Sequence, residues 1–148
     1  MKKIISIFIA LFALNASADL KGLVDGINNS TTPAELVASG WAANDGGKGY
    51  KILQIIVKGT DMSAELQLDK TGKIVASKMG ATSKLDTSVD YKMTATAADW
   101  KAMGTGERGP MYHMSPLGGL SFDGPMVEAM KNMGPFANFL IQIGTNLN

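Results

Sequence analysis

From Tyr50 to Thr96 apolar residues recur at every second position, and that period fixes what the middle of this chain can become. Side chains that alternate faces in this way belong to β-strands. "YKILQIIVKG" (50–59) is apolar on both sides, which predicts a strand buried on both faces. "MSAELQLD" (62–69) sets Met62, Ala64, Leu66 and Leu68 on one face and Ser63, Glu65 and Gln67 on the other. "DKTG" (69–72) reads as a turn into "KIVASKMG", so 62–79 is predicted to be a hairpin. "VDYKMTAT" (89–96) alternates again, with Val89, Tyr91, Met93 and Ala95 inward. The set describes an antiparallel sheet with one apolar and one wet face.

Helical periods flank this stretch. Leu20, Leu23, Val24 and Ile27 share one face of a short helix. Thr32-Pro33-Ala34-Glu35 reads as a second helix start, with Thr32 as N-cap and Glu35 closing a capping box; Gly40 ends it. "NDGGKG" (44–49) has no period and is a loop. Thr96 and Asp99 form a capping box before a helix carrying Trp100 and Met103, which "GTGERGP" (104–110) terminates. Residues 111–118 read as irregular, and "GLSFDG" as a last strand with Leu120 and Phe122 on one face. Pro125 opens a final helix whose stripe is Met126, Val127, Met130 and Met133, with Glu128 and Lys131 off it. Gly134-Pro135 is expected to kink or break that helix before Phe136, Phe139, Leu140 and Ile143 resume the stripe. Strands and helices do not alternate as in a doubly wound sheet, so the class is α+β.

The first eighteen residues fall outside this pattern. Lys2 and Lys3, an apolar run from Ile4 to Leu14, and Ala16-Ser17-Ala18 before Asp19 form a cleavable export signal. Its apolar run is too short to span a bilayer, which takes about 20 residues. Residues 19–148 then make one domain, exported to a compartment expected to be the bacterial periplasm. Without Lys2 and Lys3 that domain has 12 basic and 13 acidic side chains, interspersed, so nucleic-acid binding has no electrostatic footprint. The absence of cysteine removes disulfides and thiol chemistry.

Catalytic motifs are missing too. His113 is the sole histidine and no G-x-S-x-G elbow accompanies it; "GTGERGP" lacks the Lys-Ser/Thr of a P-loop. An enzyme is not expected, nor a cofactor. Ten methionines are the anomaly. Thioethers select Cu(I), which makes Met111, His113 and Met114 a candidate copper trio for an exported protein. Methionine also fills irregular cores and suits surfaces that re-pack around varied partners. A copper carrier, a methionine-rich interaction module without ligand, and a binder of greasy ligands all stay open on these grounds.

"VDYKMTATAADWKAMGTGERGPM" and "GGLSFDGPMVEAMKNM" resemble the strand–helix segments of the sterol carrier protein type-two, or lipid-transfer, domain. Asp90, Asp99, Trp100, Met103 and Gly106 fit the first pattern; Gly119, Leu120, Phe122, Gly124, Met126 and Met130 fit the second. The resemblance implies a mostly antiparallel five-stranded sheet with helices on one face and a hydrophobic tunnel between them. It implies non-catalytic transport of a sterol, fatty acyl or isoprenoid/quinone-type lipid, with transient membrane contact. Leu120 and Phe122 would face the tunnel, Met126, Met130 and Met133 would wall it, and Phe136, Phe139, Leu140 and Ile143 would close its mouth, with Trp100 and Met103 on the helix side. The export signal and the ending "TNLN", in place of a peroxisomal "SKL", depart from that family's intracellular members.

Overall fold

A computed structural model describes residues 20–82 and 89–147. The leader predicted over 1–18 lies outside these residues, as does the side chain of Met62. The chain opens with α1, helical over 20–28, and α2 (Thr32–Ala38). Three strands follow: β1 (Tyr50–Lys58), β2 (Met62–Asp69) and β3 (Ile74–Gly80). Then come β4 (Tyr91–Thr96), α3 (Ala97–Thr105), α4 (Pro110–Met114), β5 (Ser121–Asp123), α5 (Met126–Lys131) and α6 (Met133–Asn146). Among the described residues no helix is long and apolar enough to cross a membrane.

The five strands form one sheet in the order β3-β2-β1-β4-β5. The β2–β3 hairpin has the predicted antiparallel register, and β1/β2 and β4/β5 are antiparallel as well. Only β1 and β4 run parallel, with Leu53 opposite Tyr91 and Ile55 opposite Met93. The architecture is thus α+β, with a mostly antiparallel five-stranded sheet. One sheet face supplies Leu53, Ile55, Ala64, Leu66, Leu68, Tyr91, Met93 and Ala95 to the core, all at most 2% exposed. Leu23 and Ile27 of α1, Leu36 of α2, Trp100 and Met103 of α3, and Phe136, Phe139, Leu140 and Ile143 of α6 cover it. The opposite face is drier than its alternation suggests. Gln54, Ser63 and Glu65 are buried there, with Ser63 Oγ 2.6 Å from the Thr82 hydroxyl and Lys78 Nζ 3.4 Å from Glu65.

Local signals explain most element ends. The Thr96 hydroxyl accepts the Asp99 N–H, the N-cap bond predicted for α3, while the Asp99 carboxylate accepts the Thr96 hydroxyl in place of the backbone N–H of a full capping box. The α2 cap sits one residue earlier than expected: Thr31 is N-cap, and its hydroxyl donates to Glu35 Oε1 at 2.7 Å instead of capping the backbone. Residues 111–114, expected to be irregular, belong to α4, started by Pro110, whose missing N–H costs nothing in a first turn. The predicted break at Gly134-Pro135 is displaced to Asn132, which has non-helical angles (φ −113°, ψ 31°). Pro135 lies in the first turn of α6, where it is tolerated.

Two glycines bring α3 and α6 into backbone contact. A Cβ on Gly144 would meet the Trp100 carbonyl oxygen at 2.2 Å, and one on Gly104 would meet the Gly144 carbonyl carbon at 2.4 Å. The Thr145 hydroxyl donates to the Gly104 carbonyl at 3.2 Å across the same crossing.

Candidate functional site

The residues expected to border a ligand space fall into two groups. Met103, Phe136, Leu140 and Ile143 have no accessible surface, and Trp100 and Phe139 have 1% each. A side chain with zero accessible surface adjoins no gap wide enough for a water molecule, so the space between sheet and helices is closed along these residues. Trp100 is further pinned by its indole N–H, which donates to the Ile56 carbonyl at 3.3 Å. Phe136 sits among aromatic rings: Tyr91 at 5.5 Å, Phe122 edge-on at 5.7 Å and Trp41 at 6.4 Å. Leu120 is buried and Phe122 half-buried, both placed on the inner side of the sheet edge as expected. The tunnel implied by the family resemblance is not open there.

The second group lies on α5 and corrects its expected orientation. Met126, Val127 and Met130 are 44%, 68% and 63% exposed, while Met133 is half-buried. Ala129 points inward with no exposure, and beside it Glu128, expected off the stripe, enters the protein. The cause is a polar anchor. Glu128 Oε1 accepts from Lys51 Nζ at 2.6 Å and from the Tyr91 hydroxyl, and Oε2 accepts from the Asn44 amide. The Trp41 indole N–H donates to the same Tyr91 hydroxyl at 3.2 Å. Lys51 Nζ lies 4.0 Å from the Trp41 ring centroid, a cation–π contact that shares out its charge. A largely buried carboxylate held by three donors fixes the rotation of a six-residue helix more firmly than its two methionines can.

The electrostatics follow from this burial. Loss of water pushes the Lys51 ammonium below its ordinary range, with the Glu128 hydrogen bond opposing. The Tyr91 hydroxyl is pushed well above the usual tyrosine range, first by burial and then by its bond to Glu128. Nearby, Lys48 grips both oxygens of Asp90 at 2.7 and 2.8 Å, and Asp90 also accepts the Ile52 N–H. Asp45 is 5% exposed, with Oδ1 accepting the Gly47 N–H at 2.8 Å.

Outside this anchor a groove of about 390 Å³ opens between the turn after α2 and α5. Ser39, Gly40, Trp41 and Asn44 line one wall; Pro125, Val127, Glu128, Lys131 and Asn132 line the other. Its volume falls within the roughly 300–1,000 Å³ of small-molecule sites. The sequence reading missed Trp41, Asn44, Lys51 and Glu128. A lysine in step with Leu53 and Ile55, on the inward face of an otherwise apolar strand, was the one available signal.

The copper trio is not assembled. Met111 is 62% exposed while His113, two residues on and across α4, is 2% exposed. His113 Nδ1 lies 3.7 Å from Asp99 Oδ1, turned toward α3. Gly118 and Gly119 let the chain pass close to this pair: a Cβ on Gly119 would strike Asp99 Oδ2 at 2.1 Å.

Comparison with known proteins bears on the fold. No protein-family model and no curated protein matches the chain. Among solved structures, the crystal structure of a sterol carrier protein 2 shares 18% identity, covering 86% of this chain and 94% of its own, with a TM-score of 0.61. The solution structure of a conserved hypothetical protein from Thermus thermophilus, described as possibly a sterol carrier protein, shares 17% identity, with coverage of 88% and 86% and a TM-score of 0.60. This chain has a sterol-carrier-protein-like fold. Within that fold, α5 and the Glu128 anchor occupy the end of the sheet where Tyr91 begins β4, and Trp100 and His113 lie toward its other end.

Proposed function

We propose that the chain is a non-catalytic carrier of a hydrophobic ligand, a sterol, fatty acyl or isoprenoid-type lipid, in an exported compartment reached by cleavage of residues 1–18. The observation that carries this reading is a sterol-carrier-protein-like fold spanning nearly the whole chain, with an apolar layer between sheet and helices as its interior. Burial supplies the affinity. At about 0.8 kcal/mol per CH2, a sixteen-carbon chain gains roughly 12 kcal/mol gross on leaving water.

The structure is the closed form in this reading, and α5 is the element that opens. It is six residues long, separated from α6 at Asn132, and presents Met126, Val127 and Met130 to solvent. Lifting it breaks the hydrogen bond from the Tyr91 hydroxyl to Glu128, at the edge of the Tyr91–Phe122–Phe136 cluster. Leu120 and Phe122 then line the ligand from the sheet, Met133 from the start of α6, and Trp100, Met103, Phe139, Leu140 and Ile143 form the far interior, while Met126 and Met130 stay on the outer face of α5. The exposed methionines also give the carrier an apolar face for transient contact with a membrane.

Native mass spectrometry of the mature chain, purified from a lipid-containing host and measured before and after organic extraction, tests the proposal. A lipid mass adduct that extraction removes is expected. A sample that carries no lipid and takes none up from vesicles overturns it.

A further inference from the structure

β3 is the last strand on its side of the sheet, and part of its outer edge is already used. At the turn before it the Asp69 N–H donates to the Lys73 carbonyl, which sets the alternation of the ladder. Gln67, Glu65 and Ser63 therefore turn their peptide groups toward β3, opposite Ala76, Lys78 and Gly80. Ile74, Ser77 and Met79, opposite Leu68, Leu66 and Ala64, point their N–H and C=O groups away from the sheet. The Asn28 side-chain amide serves the first of the three, donating to the Ile74 carbonyl at 2.9 Å and accepting the Ile74 N–H at 2.8 Å. Those are the two bonds that a neighbouring strand makes. Among the described residues no group does the same for Ser77 or Met79.

We infer that this edge is a docking site for an extended segment of another polypeptide, which adds to β3 as a further antiparallel strand and sets one apolar side chain against α1. Residues that face each other across an antiparallel ladder carry their side chains on the same face. The guest residue bonded to Ser77 thus lies on the helix side of the sheet, the side on which Leu66 enters the core. A groove of about 300 Å³ opens there, lined by Leu20, Lys21, Val24, Asp25 and Ser77. Lys21 and Asp25 are paired with each other, so Leu20 and Val24 set its chemistry, and a valine or isoleucine side chain suits it. A second copy of this chain does not suit the edge. With Ser77 on the two-fold axis the groove receives only a serine hydroxyl; with Lys78 on the axis two ammonium groups lie directly opposite. The inference stands apart from the carrier reading.

Nuclear magnetic resonance of the isotope-labelled mature chain, titrated with acetyl-Thr-Lys-Thr-Ile-Thr-Lys-Thr-amide, tests it. Saturable downfield shifts of the Ser77 and Met79 amides are expected, with the short strand β5 at the other edge unmoved. Methylating the isoleucine nitrogen removes the donor to the Ser77 carbonyl and should weaken binding by about fivefold or more. Serine in place of that isoleucine leaves the groove empty and should weaken it by about tenfold or more. Ser77→Phe, at an exposed position, fills the groove from within and should weaken the isoleucine peptide by a similar factor with an unchanged circular dichroism spectrum. No saturable shift at Ser77 up to about millimolar peptide, equal binding of the isoleucine and serine peptides, or shifts centred on β5 overturn the inference. So do shifts at Ser77 that grow with protein concentration alone, the mark of pairing between copies.

Discussion

Removing Lys51 should cost far more than removing both Lys51 and Glu128. The ammonium is 4% exposed at its side chain and lies 2.6 Å from Glu128 Oε1. In Lys51→Met the stem still covers Trp41, but Glu128 is left with only Tyr91 and Asn44 as donors. Breaking a buried pair from one side costs about 3–5 kcal/mol in general. The two surviving hydrogen bonds and the edge position of Glu128 place this case near the lower bound, about 3 kcal/mol. For a domain of this size each kcal/mol shifts the midpoint by about 3–5 °C, so Lys51→Met should melt about 10 °C lower. The double variant Lys51→Met/Glu128→Leu removes both charges and should return to within about 1 kcal/mol of the parent. Urea unfolding of the four proteins, followed by far-ultraviolet circular dichroism, gives the coupling energy directly. About 2 kcal/mol or more of coupling is expected. If the single variant loses less than about 0.5 kcal/mol, or the two losses simply add, Glu128 is not a buried anchor and the account of α5 fails.

Tyr91, whose ionisation burial postpones, should stay protonated through the range in which ordinary tyrosines titrate; an ultraviolet titration compared with Tyr91→Phe shows the late step or its absence. Because the folded value is raised, the stability it confers is complete below pH 10 and declines as pH climbs toward the folded value. Glu35, lowered by its bonds from Asn138 and Thr31, works in the opposite sense: its contribution is present above pH 4.5, is lost as pH falls through the folded value, and Glu35→Gln should flatten that acid slope in chemical denaturation. Gly144→Ala drives a methyl into the Trp100 carbonyl and should destabilise by about 1–3 kcal/mol, read as a lower thermal midpoint, whereas Gly22→Ala, with open space around it, should not. Replacing Met126, Val127 and Met130 together by serine should leave stability within about 0.5 kcal/mol per site, yet slow vesicle-to-vesicle transfer of a fluorescent lipid if that face meets membranes.

What could be read from the sequence was what local rules control. Tyr91, Met93 and Ala95 face the core because a strand alternates, whatever surrounds it. Thr96 caps α3 because its partner is three residues away. Phe136, Phe139, Leu140 and Ile143 are buried because apolar side chains at helical spacing leave one dry stripe. The orientation of α5 has no such local cause. Glu128 turns inward for a lysine 77 residues earlier, and nothing in "GPMVEAMK" records that partner. The proline that starts α4 did carry a local signal, but a five-residue helix is too short to show a period.

Methionine was the ambiguous residue because its side chain is equally at home in a core and on a surface that changes partners. Its placement separates what its abundance could not. Met93 and Met103 have no exposure and belong to the packed interior, while Met111, Met126 and Met130 project from α4 and α5, two short helices. The interior pair needs no further reason than filling space. The exposed three contribute little to folding where they stand, since their apolar surface remains in water. They sit on two short helices, and the chief anchor of α5 is the charged cluster around Glu128.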